Sequence, residues 1–259
     1  MAFHDRSACR GDARARAWKR IRRNPRIPLG IFAFVVLGWG FSALKEAITS
    51  EPYQEIVILF VKLLTMVVLP AFLLIFFGYS LREMFGARPL GKAGWRTAIT
   101  MAMLLFLLQA LVGRGLQNLA ALEVSDALIY IMAPFALIWM ILEAGLTEEF
   151  LFRLLLQTRA AACLRSEVAG ILAMAVLFGL AHAPGYVLRG QHLMEGMASA
   201  PDPLTAAAYS VAVVSPLGLA FGVLWKRTRN LWLLAALHGW ADLLPNLARF
   251  IKTWINVPQ

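Results

Sequence analysis

The amino-acid sequence predicts an all-α membrane protein, a polytopic bundle of about seven to eight transmembrane helices. Of its 259 residues, 60% are hydrophobic and only 15% are charged, whereas an average soluble domain is about 25% charged. The mean hydropathy is +0.67, and several uncharged stretches approach or exceed the roughly 18 residues that a membrane-spanning helix needs. This composition excludes a water-soluble globular fold, a coiled coil and a disordered chain.

The first 26 residues form a basic segment directly before the first apolar stretch. Nine of them are lysine or arginine and two are aspartate. No small-residue cleavage pattern follows that apolar stretch before the acidic segment 46–55, so the first helix is expected to stay in the protein rather than be removed as a signal peptide. We therefore predict a cytoplasmic N-terminal segment, 1–26, and one membrane-embedded domain, 27–259.

Seven apolar stretches separated by charged loops predict the transmembrane helices. The fourth stays apolar beyond Glu143, so one helix is expected to continue to about Gln157 and to carry charged residues into the bilayer. Lys62, at the start of the second stretch, is expected to extend its ammonium group to the lipid headgroups. The stretches are 27–44, 63–81, 97–113, 127–142, 168–188, 203–225 and 230–241.

The loops between these stretches alternate in net charge. Formal charges sum to −2 over 45–55, to +3 over 82–96 and to +3 over 226–229. The positive-inside rule then places the N-terminus and the basic loops in the cytoplasm. Topology thus accounts for the formal charge of +10, and nucleic acid is not an expected partner. The expected location is a cell membrane, and the compact form without organelle signals favours a bacterial plasma membrane.

Seven ionisable residues remain inside the apolar helices, and each is a functional candidate because such a group costs at least about 2.5 kcal/mol in a bilayer. Glu149 and Arg153 are four residues apart, so they are expected to pair on one helix face. Glu148 is rotated by about 100° and has Phe152, not a cation, four residues on, which predicts a carboxylate free to act as a general base. The seven are Glu143, Glu148, Glu149, Arg153, His182, His238 and Asp242.

The two histidines belong to other helices than the glutamates. His182 ends one apolar stretch, and His238 lies one turn before Asp242 on the same helix face. Counted from the nearest basic loop residues at 1.5 Å per residue, Glu148, His238 and His182 lie about 16, 14 and 26 Å deep. Straight helices would leave His182 about 10 Å too deep, and helix tilt, or a late start of the fifth helix after Gly170, is expected to absorb the difference.

Several conspicuous residues are expected to have structural roles only. Glu143 is assigned to a structural or interfacial role, since it lies on a partly different face from the later glutamates. Cys9 and Cys163 are too far apart in a membrane sequence to indicate a disulfide framework or a zinc cluster. Gly218 and Gly222 are four residues apart, a spacing that predicts close packing of helices in lipid.

Three motifs resemble those of a known family. The segment 148–153 matches EExxxR, 178–182 matches FxxxH and 238–242 matches Hxxx(N/D), in the family's order. The chain is similar to the CPBP family of intramembrane proteases, named for CAAX-prenyl proteases and bacteriocin-processing enzymes and also called the Abi family. The similarity covers a protease-like core at about 127–246, and the first three apolar stretches carry no motif. Asp242 stands where the eukaryotic prenyl-protease branch more often has asparagine.

The resemblance implies an intramembrane endopeptidase in which a glutamate activates the attacking water. Glu148 would be the base, two histidines would stabilise the oxyanion, and the pair that follows Glu148 would order the site. No cofactor is implied, and the expected partners are the lipid bilayer and a membrane-bound protein or peptide substrate. The catalytic residues so implied are Glu148, His182, His238 and Asp242, and the supporting residues are Glu149, Arg153 and Phe178.

Two other functions stay open at the level of sequence. Glu148, His182 and His238 form a two-histidine, one-carboxylate set that could hold zinc with an open water position, as in a zinc-dependent membrane metalloprotease. The helical HExxH spacing of many zinc proteases is absent. The non-enzymatic alternative is a membrane immunity or scaffold protein, whereas no repeat or pair of interrupted helices supports a carrier.

Overall fold

The computed structural model describes residues 51–76, 78–86, 89–189 and 201–255, and every regular element within them is helical. This confirms the predicted all-α fold class. The basic segment 1–26 and the first apolar stretch, 27–44, lie outside the described residues, so the division of the chain at residue 26 stays a prediction. The helices are α1 (51–76), α2 (Leu81–Phe85), α3 (Lys92–Val112), α4 (Gly115–Ala120), α5 (Asp126–Cys163), α6 (Glu167–Arg189), α7 (Pro203–Thr228) and α8 (Leu231–Ile255).

Five of the described helices are long and apolar enough to cross a membrane. Helix α8 is not among them, because His238, Asp242 and Asn246 lower its hydropathy. The described residues therefore confirm a protein with several apolar spans, and the total of seven to eight stays a prediction. The five spans are Pro52–Phe76, Lys92–Val112, Asp126–Cys163, Glu167–Val187 and Pro203–Thr228.

Polar side chains in the loops begin two of the long helices. The Ser125 hydroxyl accepts a hydrogen bond from the backbone N–H of Leu128 at the start of α5. Asp202 caps α7 in the same way, with Pro203 as the first helical residue. These side chains satisfy backbone donors that have no partner within the helix. Hydrogen bonds from Thr205 hold the pKa of Asp202 below its usual value.

Helix α5 is the central element of the fold and includes the first of the three motifs. It runs for 38 residues, which confirms the predicted continuation past Glu143. Two π-helical segments, Ile141–Leu146 and Phe150–Gln157, lie on either side of Glu148 and Glu149. Their wider i→i+5 turns change which side chains share a face, and such turns are frequent at functional sites.

Glycines allow α8 to approach α5 closely. A Cβ atom on Gly145 would overlap the backbone carbonyl of Ala235, and one on Gly239 would overlap the backbone of Ile141. Because residues 145 and 141 of α5 meet residues 235 and 239 of α8, the two helices run antiparallel here. The contact brings His238, one residue before Gly239, beside the glutamates of α5.

A second close contact joins α5 and α6 to α7. A Cβ atom on Gly218 would lie 3.0 Å from the Phe178 ring, and one on Gly222 would lie 2.9 Å from the Gln157 side chain. The predicted close packing at these two glycines is thus confirmed, within one chain. Arg153 and Gln157 donate hydrogen bonds to the carbonyls of Gly218 and Gly222, at 3.3 and 2.9 Å.

Helices α5 and α6 form an antiparallel hairpin in which residues equally distant from the turn lie opposite each other. Near the turn, Gly170 lies against the backbone of Ala161, so closely that a Cβ atom would overlap it. Further along, the rings of Phe152 and Phe178 meet edge to face with centroids 5.0 Å apart. Residues of α5 and α6 that are equally far from the turn in sequence therefore lie at about the same distance from it in space.

The 10 Å difference in depth counted along straight helices is not present, since His182 Nε2 lies 3.7 Å from Glu148 Oε2. Helix α6 begins at Glu167, so a late start after Gly170 is not the reason. The reference residue for Glu148 was Arg159, which is only 4% exposed and donates to main-chain carbonyls of its own helix. The real turn lies at Arg165, whose φ of 53° is left-handed. Counted from Arg165, Glu148 comes 17 residues before and His182 comes 17 residues after, so the two residues reach the same level.

Candidate active site

Glu149 and Arg153 form a fully buried ion pair in the interior of the bundle. The Arg153 Nε atom lies 3.2 Å from Glu149 Oε2, and the two side chains are 2% and 0% exposed. The guanidinium also lies 4.3 Å above the Phe178 ring, a favourable cation–π contact. The predicted pairing is confirmed, and the pair anchors α5 to the helices around it.

His238 is held by a hydrogen bond to the same buried glutamate. Its Nδ1 atom lies 2.7 Å from Glu149 Oε1; a carboxylate only accepts, so Nδ1 carries the hydrogen. The ring stacks on Phe221 with centroids 5.3 Å apart. Its other nitrogen, Nε2, lies 3.5 Å from Asp242 Oδ2 and 3.9 Å from Glu148 Oε2.

His182 approaches the same carboxylate from α6. Its Nδ1 atom lies 2.8 Å from the backbone carbonyl of Phe178, so Nδ1 is again the donor and the ring orientation is set. Its Nε2 atom lies 3.7 Å from Glu148 Oε2. The Phe178 ring packs against the His182 ring at 4.8 Å and forms the wall beside it, as the resemblance implied.

Glu148 lies where these three helices meet. Its Oε2 atom faces the Nε2 atoms of both histidines and makes no hydrogen bond to any described part of the chain. Burial decreases from Glu149, with none of its side chain exposed, through Glu148, at 13%, to His182, at 34%. The site thus has a sealed side at Glu149 and a more accessible side at His182.

Lys62 joins the site from α1, and two sequence-based expectations about it are wrong. Its Nζ atom lies 2.8 Å from Glu143 Oε1 and 3.3 Å from Glu148 Oε1, with only 12% of the side chain exposed. The lysine therefore does not extend to the headgroups, and Glu148 does have a cationic partner. Glu143, expected to be structural or interfacial, is part of the same charged group.

Local spacing could not reveal this contact, because Lys62 is 86 residues from Glu148. The i, i+4 comparison that separated Glu148 from Glu149 considers one helix only. The sequence feature that could indicate this contact is the position of Lys62 near the middle of the apolar span Pro52–Phe76. An ionisable residue at membrane depth usually faces a partner inside the bundle.

The residues that could hold a metal ion are those of the histidine–glutamate cluster. Zinc would need Glu148, His182 and His238 at about 2.0–2.2 Å from one point. Among the residues that the structure describes, no group of three or more His, Cys, Asp or Glu side chains has a metal-binding arrangement.

The fold and this cluster define a helical, multi-spanning membrane protein with a carboxylate and two imidazoles gathered in its interior. Residues 130–244 match the family model described as Rce1-like, type II CAAX prenyl endopeptidase. This match confirms the resemblance to the CPBP family of CAAX proteases, and the family implies protease activity. The matched segment contains all three motifs and excludes α1. No curated protein and no solved structure matches the chain.

Proposed function

We propose that this chain is a glutamate-dependent intramembrane endopeptidase. It would hydrolyse a peptide bond in a membrane-associated protein or in a lipidated C-terminal tail. The observation that carries the proposal is the convergence on Glu148 Oε2 of two imidazole Nε2 atoms, at 3.7 and 3.9 Å. The description of the matching family, a prenyl endopeptidase, supports a CAAX-type substrate.

In the proposed reaction, the Glu148 carboxylate removes a proton from a water molecule held near Oε2. The water oxygen attacks the scissile carbonyl carbon, and the carbonyl oxygen becomes the oxyanion of a tetrahedral intermediate. As the C–N bond breaks, the protonated Glu148 returns its proton to the leaving amine. The base thus ends the cycle as it began, and no cofactor is consumed.

The histidines would stabilise the oxyanion. Because each Nδ1 atom is engaged, only Nε2 of either ring is available to the substrate. His238 can donate from Nε2 only as an imidazolium, and Asp242, 3.5 Å away, is placed to accompany that charge. Preorganised donors of this kind are commonly worth about 3–4 kcal/mol in the transition state. Asp242 would therefore orient and charge-balance His238.

The zinc-dependent alternative uses the same residues. A second cation would have to bind Glu148 while the Lys62 ammonium is 3.3 Å from the same carboxylate, and this like-charge repulsion favours the metal-free reaction. Retention of activity after exhaustive chelation would support the metal-free reaction, whereas loss of activity reversed by zinc would contradict it.

The decisive experiment compares the wild type with Glu148→Gln. Both proteins are reconstituted in liposomes and incubated with a prenylated peptide ending in a CAAX sequence. The membrane proteomes of cells carrying each protein are compared in parallel to find native substrates. Glu123→Gln is the matched control, since it makes the same chemical change at an exposed residue.

The expected result is that Glu148→Gln abolishes cleavage by several orders of magnitude at near-normal abundance, while Glu123→Gln behaves as the wild type. Intact substrates should accumulate only in the Glu148→Gln membranes. Equal cleavage by Glu148→Gln and the wild type would overturn the mechanism and favour the immunity or scaffold alternative.

A further inference from the structure

Lys62 connects the site to a helix that lies outside the segment matched by the Rce1-like family. One ammonium group contacts Oε1 of two carboxylates, Glu143 and Glu148, at 2.8 and 3.3 Å. All three side chains are largely buried, at 12%, 20% and 13% exposure. Such an arrangement is costly in a bilayer unless its charges compensate one another.

The π-helical segment of α5 makes this double contact geometrically accessible. Residues five apart in a regular α-helix point about 140° away from each other. The segment Ile141–Leu146 instead has the wider i→i+5 turn, which brings residues five apart towards the same face. Glu143 and Glu148 can therefore share one cation.

The backbone around Lys62 is similarly held in place. A π-helical segment, Leu63–Val68, begins directly after it, and the Thr65 hydroxyl donates to the Val61 carbonyl at 2.7 Å. Met66 and Val67 are buried against the hydrophobic core. The lysine is thus presented to α5 by a packed helix and not by a loop.

We propose that Lys62 is a positioning residue for Glu148 and that α1 completes the active site. By holding Oε1, the ammonium turns Oε2 towards the histidines and stabilises the anionic carboxylate that a general base requires. Glu143 competes for the same cation and weakens this effect. The proposal rests on the proposed glutamate-dependent hydrolysis.

The test measures kcat and KM against pH for Lys62→Met, Lys62→Arg and Glu143→Gln in liposomes. Lys62→Met should lower kcat by about 10- to 100-fold, with little change in KM, and move the acid limb of the kcat/KM profile to higher pH. Glu143→Gln should move that limb to lower pH, because Lys62 then pairs with Glu148 alone and one negative charge near Glu148 is removed. Lys62→Arg should keep most of the activity.

Opposite displacements by two neighbouring substitutions are not expected from a merely structural role. The profile depends on every charged or titratable group that faces Glu148, so only the sign of each displacement is interpreted. Lys252→Met is the matched control at an exposed position, and it should leave the profile unchanged. The facing groups are Lys62 on α1, Glu143 and Arg153 on α5, His182 on α6, and His238 and Asp242 on α8.

A double variant covers the case in which Lys62→Met does not accumulate. Lys62→Met with Glu143→Gln keeps the formal charge of the three-residue group at −1, since one positive and one negative charge are removed. It should be slower than Glu143→Gln alone, with its acid limb at higher pH. If the two variants have the same rate and profile, the role of Lys62 is wrong while the inactivity of Glu148→Gln still supports the hydrolytic mechanism. Full activity of Glu148→Gln would overturn both.

Discussion

His238 of α8 donates a hydrogen bond of 2.7 Å to Glu149 of α5, across 89 residues of sequence. Glu149 also pairs with Arg153, so both of its oxygens are engaged by cationic or donor groups. The two adjacent glutamates of the first motif thereby differ in their surroundings. Glu149 joins α5 to α8 and fixes the His238 ring. Glu148 presents one oxygen to the accessible side of the site.

Removal of Arg153 tests the structural half of this division. Arg153→Ala leaves the buried Glu149 carboxylate without its ion-pair partner, at an expected cost of about 3–5 kcal/mol in the free energy of unfolding. Folded protein in the membrane and the melting temperature in detergent should both fall. Arg227→Ala, at an exposed position, should change stability by no more than about 0.5 kcal/mol. Equal melting temperatures for Arg153→Ala and the wild type would mean that the pair is solvated.

Substitution of Gly145 tests the close contact between α5 and α8. The Cβ atom of Gly145→Ala would overlap the Ala235 carbonyl, so the helices must separate, at a cost of about 1–3 kcal/mol. Because the same contact positions His238, activity should fall as well. Gly91→Ala is the matched control, since a Cβ atom there meets nothing within 4 Å. A melting temperature for Gly145→Ala equal to that of Gly91→Ala would contradict the packing.

The part of the site that follows local helical spacing could be predicted from sequence. The i, i+4 rule identified the pair of Glu149 and Arg153 and placed Asp242 on the same face as His238, and both contacts are present. The rule depends on local helix geometry alone, and the pair forms even though Arg153 lies in the π-helical segment Phe150–Gln157. The all-helical fold class and the long fourth span could also be predicted, from the length and composition of the apolar stretches.

The contacts that depend on how helices pack could not be predicted in the same way. Lys62 meets Glu148 only because α1 packs against α5, and Glu143 joins them only because α5 contains a π-helical turn. The depth of Glu148 is underestimated from sequence because Arg159, a charged residue, is buried rather than placed at the membrane surface. Charge alone marks a boundary only where the side chain has no partner inside the bundle.

The membrane orientation of the chain is a separate prediction, and it is based on the net charge of the loops. Reporter fusions after residues 90 and 228 should show cytoplasmic activity, and a fusion after residue 120 should show activity on the opposite side. Fusions at all three positions of the same Glu148→Gln protein avoid interference from proteolysis. External activity of the fusion at residue 90 would overturn the predicted topology.

Removal of metal ions tests the nature of the attacking water. The wild-type protein in liposomes should keep its activity through exhaustive treatment with a strong chelator, because Glu148 alone accepts the proton in the proposed reaction. A known zinc protease treated in the same vessel serves as the positive control for chelation. Inactivation that zinc reverses would instead assign Glu148, His182 and His238 to metal binding.

Comparison of His238→Ala with Glu148→Gln, and with the variant that carries both changes, tests whether His238 acts on the oxyanion or only through Glu148. His238→Ala removes the proposed oxyanion donor and leaves the proposed base, so kcat should fall by about 10²–10³-fold, less than for Glu148→Gln. The same substitution removes the hydrogen bond to Glu149, so the melting temperature must be measured alongside the rate and the comparison made where both proteins are folded. If His238 donates to the oxyanion, the double variant should be slower than Glu148→Gln alone, because an oxyanion forms in any residual hydrolysis and still gains from the donor. A double variant with the same rate as Glu148→Gln would show that His238 acts only through Glu148, and its proposed place at the oxyanion would then be wrong.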